Sequence, residues 1–393
     1  MRNSSFSLKK YYLCMNKKLF TILKNIEDSV VFNLFYRLMR YQESYHDAVS
    51  LLKRLISTPS VSRQEEEAAT FLATTIEKDY GLPFHREGNN IWIADPHYEE
   101  RRPTLLLNAH IDTVKPVSTW KRNPFTAVVE GDRLYGLGSN DCGGGLVSLL
   151  QVFRLLTSKQ QSYNLLFLAS AEEEVSGING IRKVLPSLPR IDVAIVGEPT
   201  GMQPAIAEKG LIVLDITSKG VSGHAARQEG VNAIYEALDD LSWLRSYQFD
   251  KVSPLLGPTM MNVTVIHAGT QHNVIPDVCS FTVDIRTNEY YRNEEVYEFI
   301  RSHVKGEVKA RSLHLHSSSI DTEHPLVRKC ITMGMRPFGS PTLSDQSLMP
   351  FPSLKLGPGD SSRSHTADEY ILLSEVEKGI DTYMELLNGT TII

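Results

Sequence analysis

The chain has 393 residues and a formal net charge of −5, which leaves room for two domains and argues against nucleic acid as the main partner. No apolar run approaches the roughly 20 residues that a membrane span needs, so we expect no membrane partner. The cysteines lie far apart without CxxC spacing, at Cys14, Cys142, Cys279 and Cys330. This pattern is typical of a reducing compartment and predicts a cytoplasmic location.

The first 43 residues do not fit a signal peptide. Their longest apolar patch, residues 30–36, is interrupted by Asn33 and lacks a small-residue cleavage site. Met15 and Met39 both offer later start positions. We therefore interpret residues 1–43 as an extension that is disordered or not native, with a targeting segment as the alternative.

Residues 44–208 alternate helical and strand patterns. Apolar positions at helical spacing predict two helices within residues 45–80, and Ser62 is placed to cap the second helix. A glycine-rich turn at 134–141 opens another predicted helix. Buried strands are predicted at 90–94, 105–108, 165–169 and 192–196. The alternation predicts an α/β layered sheet.

The pattern changes after Lys209. The predicted order is a strand at 211–219, a helix at 231–245, strands at 260–268 and 278–286, a helix at 294–304 and a strand at 307–316. This β-α-β-β-α-β order is the split ferredoxin-like unit. We therefore predict a lid domain at 209–322, inserted between the catalytic parts 44–208 and 323–393.

Histidines and carboxylates follow the predicted strands and the glycine-rich turn. They are His110, Asp112, Asp141, Glu172, Glu173, Glu174, Glu198, Asp360 and His365. Ligands of open α/β sheets bind beyond the carboxyl ends of the strands, and these residue types suit zinc or a similar divalent ion. The set exceeds what one tetrahedral ion needs but suits two ions that share a carboxylate. Taken alone, the three adjacent glutamates would instead be a solvated loop.

Seven motifs between about Tyr45 and the C-terminus carry a family resemblance. They read NAHIDTV, GLGSNDCGGG, SAEEEVSG, VGEPT, SGHAAR, HNVIPD with DIR, and GPGDSSRSHTADE. Together they resemble the zinc-dependent aminoacylase, acetylornithine deacetylase and succinyl-diaminopimelate desuccinylase family, which also includes carboxypeptidase G, and are most similar to the acetylornithine deacetylase branch. The resemblance implies a dimetal peptidase-type α/β catalytic domain with an inserted ferredoxin-like α+β lid that forms a homodimer.

The resemblance also implies roles for individual residues. Two divalent ions, zinc with cobalt as a substitute, would be held by His110, Asp141, Glu174, Glu198 and His365, with Asp141 as the bridge. Asp112 would orient His110, and Glu173 would be the general base.

On the lid, the resemblance implies that His224 stabilises the oxyanion in the partner's site and that Asn273 and Arg286 hold the substrate carboxylate. The alternative for Arg286 is a surface charge. Four further histidines are interpreted as solvent-facing: His267, His272, His314 and His316.

The implied function is hydrolysis of an N-acyl amino acid, such as N-acetyl- or N-succinyl-ornithine or -citrulline, by a metal-activated water in arginine biosynthesis. The alternatives are a succinyl-diaminopimelate desuccinylase, a dipeptidase, or a catalytically silent member that acts as a binding module. A pocket for the second carboxylate of a succinyl group would use Arg227 or Arg363.

The chain departs from the family pattern at three positions. Cys142 and Gly143 stand where the family has Met or Asp and Lys, and Glu172 stands where Asp is common. Cys142 is interpreted as a packing residue, with an extra metal ligand or an oxidation-sensitive thiol as alternatives.

Overall fold

The computed structural model describes residues 30–227 and 229–393. Residues 1–29 of the predicted extension therefore lie outside the described residues. The described helices are α1 (Val30–Ile56), α2 (Glu66–Thr74), α3 (Gly144–Thr157), α4 (Ile181–Val184), α5 (Ala233–Ser246), α6 (Asn293–His303), α7 (Pro325–Thr332) and α8 (Leu373–Leu387). None of them is long and apolar enough to cross a membrane.

The described strands fall into four sheets. In chain order they are β1 (His85–Glu87), β2 (Asn90–Ala94), β3 (Thr104–His110), β4 (Val128–Glu130), β5 (Arg133–Tyr135), β6 (Asn164–Ser170), β7 (Val193–Val196), β8 (Ala205–Glu208), β9 (Gly210–Lys219), β10 (Gly223–His224), β11 (Met260–Ala268), β12 (Val274–Ile275), β13 (Val278–Thr287), β14 (Glu307–Ala310), β15 (Ser318–Ser319), β16 (Phe338–Ser340), β17 (Ser353–Lys355) and β18 (Tyr370–Leu372).

The largest sheet has the order β1-β2-β6-β3-β7-β17-β8-β15, with β16 paired to β8. Its centre, β6-β3-β7-β17, is parallel. Every residue of β3 and β6 is buried, which is why both strands read as continuous apolar runs. Their carboxyl ends meet at one edge because His110 pairs with Ser170. The predicted α/β sheet is confirmed.

The second sheet is antiparallel, with the order β11-β13-β9-β14. Together with α5 and α6 it follows the predicted β-α-β-β-α-β order. Alternate residues of β9 and β13 are buried, and they pack with both helices into an apolar core separate from that of the large sheet. The two smaller sheets are β18-β5-β4 and the β10-β12 pair.

Local details differ from the sequence predictions at three places. The last strand of the second sheet ends at Ala310 instead of residue 316, and β15 already pairs with β8, so the chain returns to the large sheet before the boundary predicted at 322. Residues 30–43 belong to α1, so the boundary predicted after residue 43 falls inside a helix. Ser62 does not cap α2, whose N-cap residue is Glu65.

Candidate active site

His110 ends β3, with its imidazole buried. Its Nδ1 atom lies 2.9 Å from the main-chain carbonyl oxygen of Asp112 and 3.5 Å from Oδ1 of the same residue. Because a carbonyl oxygen can only accept, the neutral ring carries its proton on Nδ1 and leaves Nε2 with a lone pair. Nε2 lies 3.3 Å from Oδ1 of Asp141 and 3.6 Å from Oε1 of Glu198. This is the orientation that a metal-binding histidine needs.

The carboxylate of Asp112 connects β3 to the segment after β6. Its Oδ2 atom accepts the hydroxyl proton of Ser62 at 2.7 Å, and its two oxygens accept the N–H groups of Glu173 and Glu174 at 3.0 and 3.2 Å. Burial raises the pKa of Asp112, but the contacts with His110, Ser62 and Glu173 outweigh it and hold the pKa below its usual value. Asp112 is therefore ionised and fixes both strand ends.

Asp141 lies between the two predicted histidine ligands. Its Oδ1 atom is 3.3 Å from Nε2 of His110, and its Oδ2 atom is 3.6 Å from Nε2 of His365. Burial raises the pKa of Asp141, but His110, Ser364 and His365 outweigh it and lower the pKa overall. An ionised carboxylate whose two oxygens face different histidines has the geometry of a bridge between two ions.

Glu369 and Asn140, which sequence reasoning missed, hold the Asp141 loop. Oε1 of Glu369 accepts the N–H groups of Asn140 and Asp141 at 2.8 and 2.9 Å, and Oε2 accepts that of Gly138 at 3.0 Å. Nδ2 of Asn140 donates to the carbonyl oxygen of Asp360 at 3.0 Å. The loop is thereby anchored to the C-terminal segment of the site.

His365 and Glu174 form a close pair. Nε2 of His365 lies 2.8 Å from Oε2 of Glu174, and this hydrogen bond is the main cause that raises the pKa of His365 to about 9. The backbone of His365 has a φ of 60°, in the left-handed region. Non-glycine residues adopt this conformation at a cost, and such residues cluster at functional sites.

Glu198 gives the most direct sign that the site is built for cations. Its Oε1 atom is buried and has no hydrogen-bond partner among the described residues. Burial, followed by the nearby Asp141 carboxylate, raises the pKa of Glu198 to about 8. The ligand atoms of His110, Asp141 and Glu174 lie within 4.8 Å of one another, and those of His110, Cys142 and Glu198 form a second such group. Imidazole nitrogens and carboxylate oxygens are suitable donors for zinc, so these residues fit divalent cations.

Cys142 lies behind His110. Its Sγ atom accepts the N–H of His110 at 3.2 Å and lies 3.5 Å from the carbonyl oxygen of that residue. Burial raises the pKa of the Cys142 thiol far above its usual value. Because the thiolate is the metal ligand and the nucleophile, these contacts favour the packing interpretation among the three.

The carboxyl group of Glu173 lies beside the predicted ligands. Burial raises the pKa of Glu173 well above its usual value. His110 lowers this pKa, but the carboxylates of Glu198, Asp345 and Glu174 raise it further. A raised pKa makes the Glu173 carboxylate a stronger proton acceptor, and this property suits a general base.

These side chains open into a cavity of about 410 Å³. Its charged lining consists of Asp141, Glu173, Glu174, Glu198, Lys355, Asp360 and His365. Its other lining consists of Pro199, Thr200, Gly201, Phe338, Ser340, Pro341, Thr342, Leu343, Ser361 and Ser364. With His110 next to Asp141 and Glu198, the structure brings all five predicted ligands and the predicted base to this cavity.

None of the three predicted lid residues lines the cavity. His224 is exposed, and the N–H of the following Ala225 donates to the carbonyl oxygen of Asn273 at 3.0 Å, so His224 and Asn273 lie together. The guanidinium of Arg286 is bound by the carboxylate of Asp284, with distances of 2.8 and 3.0 Å. The roles of these three residues stay predictions.

Neither arginine suggested for a second carboxylate lines the cavity. Arg363 is held by both carboxylate oxygens of Glu375, at 2.7 and 3.1 Å. Its guanidinium also lies 4.7 Å from the centre of the Tyr370 ring. Arg227 is exposed.

Sequence reasoning also missed a buried ion pair beside the cavity. Nζ of Lys355 lies 3.0 Å from Oε2 of Glu208, and their side chains are 3% and 0% exposed. The signal was present in the segment SLKLGPG, where a lysine follows the pattern of a buried strand. Because lysine is rarely buried without a partner, this position indicated a buried carboxylate elsewhere in the chain.

Comparison with known proteins gives the site its context. The family model described as Peptidase family M20/M25/M40 matches residues 106–389. An acetylornithine deacetylase of Proteus mirabilis (strain HI4320) is 31% identical over 363 residues, which cover 84% of this chain and 93% of that protein. An acetylornithine deacetylase of Pectobacterium carotovorum (strain PC1) is 30% identical over 357 residues, 82% of this chain and 92% of that protein.

Solved structures share the fold at lower identity. A tripeptidase from Staphylococcus aureus has a TM-score of 0.69 at 18% identity and covers 88% of this chain and 98% of its own. A metallo-carboxypeptidase from Sulfolobus solfataricus has a TM-score of 0.69 at 19% identity, covering 87% and 98%. A dinuclear metal-binding peptidase from Bacillus subtilis has a TM-score of 0.66 at 17% identity, covering 88% and 98%.

Proposed function

Because the chain belongs to peptidase family M20/M25/M40 and is a metal-dependent amidohydrolase, we propose that it removes the acyl group from an N-acyl amino acid. The observation that carries this proposal is the position of Glu173, a carboxyl group with a raised pKa beside five converging ligands in an open cavity. That arrangement suits hydrolysis of a neutral amide bond, which needs a proton acceptor next to an electrophilic centre.

We propose that the site holds two divalent ions, zinc or cobalt. His110 and Glu198 would hold one ion, Glu174 and His365 the other, and Asp141 would contact both. The ions would supply positive charge that polarises the amide carbonyl and acidifies a water molecule.

The chain's own residues have three tasks in the reaction. Glu173 takes the proton of the attacking water on its carboxylate and passes it to the nitrogen of the leaving amine, so the proton balance closes within one turnover. Asp112 holds the N–H groups of Glu173 and Glu174 and so fixes the base relative to His110. Glu369 accepts the main-chain N–H of Asp141 and so holds the loop that carries the Asp141 carboxylate.

The acetylornithine deacetylases that match most of the chain support N-acetyl- or N-succinyl-ornithine or -citrulline as substrates and a role in arginine biosynthesis. Arg286 and Asn273 would hold the α-carboxylate after the second sheet closes over the cavity, with Arg286 leaving Asp284. The free buried thiols of Cys142, Cys279 and Cys330 support a cytoplasmic location.

We further propose that two chains pair through the second sheet. Strand β11 is an edge of that sheet, and among the described strands it pairs only with β13. Its apolar Val263, Val265 and Ile266 are 39%, 43% and 51% exposed. An open apolar edge is a template for pairing with another chain. A homodimer would also allow His224 to act in the site of the partner.

A substrate panel tests the proposed function. The zinc- or cobalt-loaded full chain is assayed with N-acetyl and N-succinyl forms of ornithine, citrulline, lysine and diaminopimelate, ranked by kcat/KM. We expect N-acylated ornithine or citrulline to rank first, and amidation of the α-carboxylate to raise KM sharply. A preference for succinyl-diaminopimelate would change the substrate within the same chemistry. No turnover by metal-loaded protein would contradict the proposal and favour a dipeptidase or a binding module.

A further inference from the structure

The ion pair between Lys355 on β17 and Glu208 on β8 has no part in the proposed chemistry. Its Nζ–Oε2 distance is 3.0 Å, and both side chains are almost fully buried. Transferring two charges from water into a protein interior is costly, so such a pair is weak evidence for added stability. Because Lys355 lines the cavity, a role at the site is more consistent with its position.

Both partners hold the same short loop. Nζ of Lys355 donates to the carbonyl oxygen of Thr342 at 2.9 Å and lies 3.3 Å from Oγ1 of that residue. The carboxylate of Glu208 accepts the hydroxyl proton of Ser344 at 2.8 Å and its N–H at 3.3 Å. The loop is therefore fastened at two positions by the two members of one ion pair.

The loop forms a wall of the cavity. Residues 340–343 all line the cavity, and their side chains are apolar or carry hydroxyl groups. The predicted metal ligands in the lining are instead carboxylates and a histidine. The main-chain N–H of Lys209 donates to the carbonyl oxygen of Ser340 at 3.2 Å. Lys209 directly follows Glu208 and leads into β9, so the wall is also joined to the chain segment that enters the second sheet.

Lys355 is not a receptor for a substrate carboxylate in this arrangement. Its three ammonium protons are taken up by Oε2 of Glu208 and the two oxygens of Thr342, and its charge is balanced by Glu208. We propose that Glu208 and Lys355 are positioning residues that hold residues 340–343 as the substrate-facing wall and so set the affinity for the N-acyl amino acid. This inference rests on the proposed function for the identity of the ligand.

The test removes the whole pair, because removal of one member would leave a buried unpaired charge. The double variant Lys355→Met/Glu208→Gln is compared with Lys219→Met/Glu307→Gln, which removes an exposed pair of the same residue types with an Nζ–Oε2 distance of 2.9 Å. We expect KM for the preferred N-acyl amino acid to rise about tenfold or more in the first variant, with kcat within about threefold and metal content unchanged. We expect neither constant to change by more than about twofold in the control variant.

An unchanged KM in a folded, metal-loaded Lys355→Met/Glu208→Gln variant would overturn the inference. Hydrogen exchange of the amides of Ser340 and residues 342–344 gives a second readout that does not depend on turnover. We expect faster exchange in that loop in the double variant but not in the control. If the wild type hydrolyses no N-acyl amino acid, the proposed function fails, while unchanged loop exchange would separately overturn the positioning role.

Discussion

The carboxylate of Asp112 accepts the main-chain N–H of Glu173 at 3.0 Å. Because Asp112 lies two residues after His110, a single side chain connects the turn that carries Glu173, the proposed base, to the end of the strand that carries His110. Strand β3, which ends at His110, and strand β6, which precedes Glu173, are adjacent and parallel, with His110 paired to Ser170. The relative positions of Glu173, Glu174 and His110 therefore depend on one buried carboxylate.

We expect Asp112→Asn to weaken both metal binding and activity. The amide nitrogen would face N–H groups that now donate to a carboxylate, so the turn at Glu173 and Glu174 would shift. Loss of such a supporting partner costs roughly 10- to 100-fold in metal affinity or activity. Elemental analysis and kcat/KM measure the two effects.

Asp240→Asn is the matched control for this substitution. Asp240 is buried and accepts the N–H groups of Lys305 and Gly306, both at 2.9 Å, in the second sheet region. We expect this variant to lose stability without losing metal. Equal metal loss in both variants would show that Asp112 acts only through general stability.

Substitution of the two adjacent glutamates distinguishes the proposed base, Glu173, from the proposed ligand, Glu174. Glu173→Gln keeps size but cannot accept a proton, so we expect kcat to fall by roughly 10²- to 10⁴-fold with metal content unchanged. Glu174→Gln weakens the contact with His365, 2.8 Å away, and should lose metal. Metal loss in the first variant and retention in the second would mean that the two roles are exchanged.

The pKa values of the metal-free site predict proton release on metal binding. The Glu174 hydrogen bond raises the pKa of His365 to about 9, and burial raises that of Glu198 to about 8. Both groups are therefore mostly protonated at pH 7. Burial lowers the pKa of His110, but its contacts with Cys142, Asp112 and Asp141 outweigh burial and raise the pKa well above its usual value. All three residues must be deprotonated to bind a cation, so metal binding should release protons.

Calorimetric zinc titrations in buffers of different ionisation enthalpy measure this release. We expect the apparent affinity to rise with pH through the pKa of His365, about 9, because the protonated imidazole cannot bind a cation. Binding at pH 7 without proton release would contradict the predicted ligand roles of His365 and Glu198.

Mixed dimers test whether His224 serves the neighbouring chain. Chains with His224→Ala are mixed with chains that carry Glu173→Gln, each nearly inactive alone. If His224 acts across the dimer, one site of the heterodimer recovers both groups and part of the activity returns. With subunit exchange confirmed, absence of recovery would place His224 in its own chain's site or outside the reaction.

The convergence of the predicted ligands at one cavity could be predicted because the signals for these residues are local. His110 ends a buried apolar strand, Glu174 and Glu198 each follow one closely, and parallel strands bring such ends to one edge. Asp141 lies in a glycine-rich turn that begins a helix. Each of these features can be recognised within about ten residues of sequence.

The supporting residues were not predictable in the same way. Glu369 acts by accepting N–H groups more than 200 positions away in the chain, and its motif gives no sign of that. Ser62 has the spacing of a helix cap, but its hydroxyl donates to Asp112 instead. The strand predicted to reach residue 316 ends at Ala310, although the N–H of Leu211 on β9 still donates to the carbonyl oxygen of Leu315. The N–H of the next residue, His316, donates to the carbonyl oxygen of Ser347 instead. Such contacts depend on tertiary structure.

The most direct test of the account is activity against metal content in one preparation. N-acetyl-L-ornithine hydrolysis is measured after chelation and again as zinc or cobalt is added back, with Glu173→Gln as a variant that binds metal but lacks the base. The account predicts no activity in metal-free protein, recovery as up to about two ions bind per chain, and no recovery in the variant. Undiminished hydrolysis by metal-free protein would contradict it.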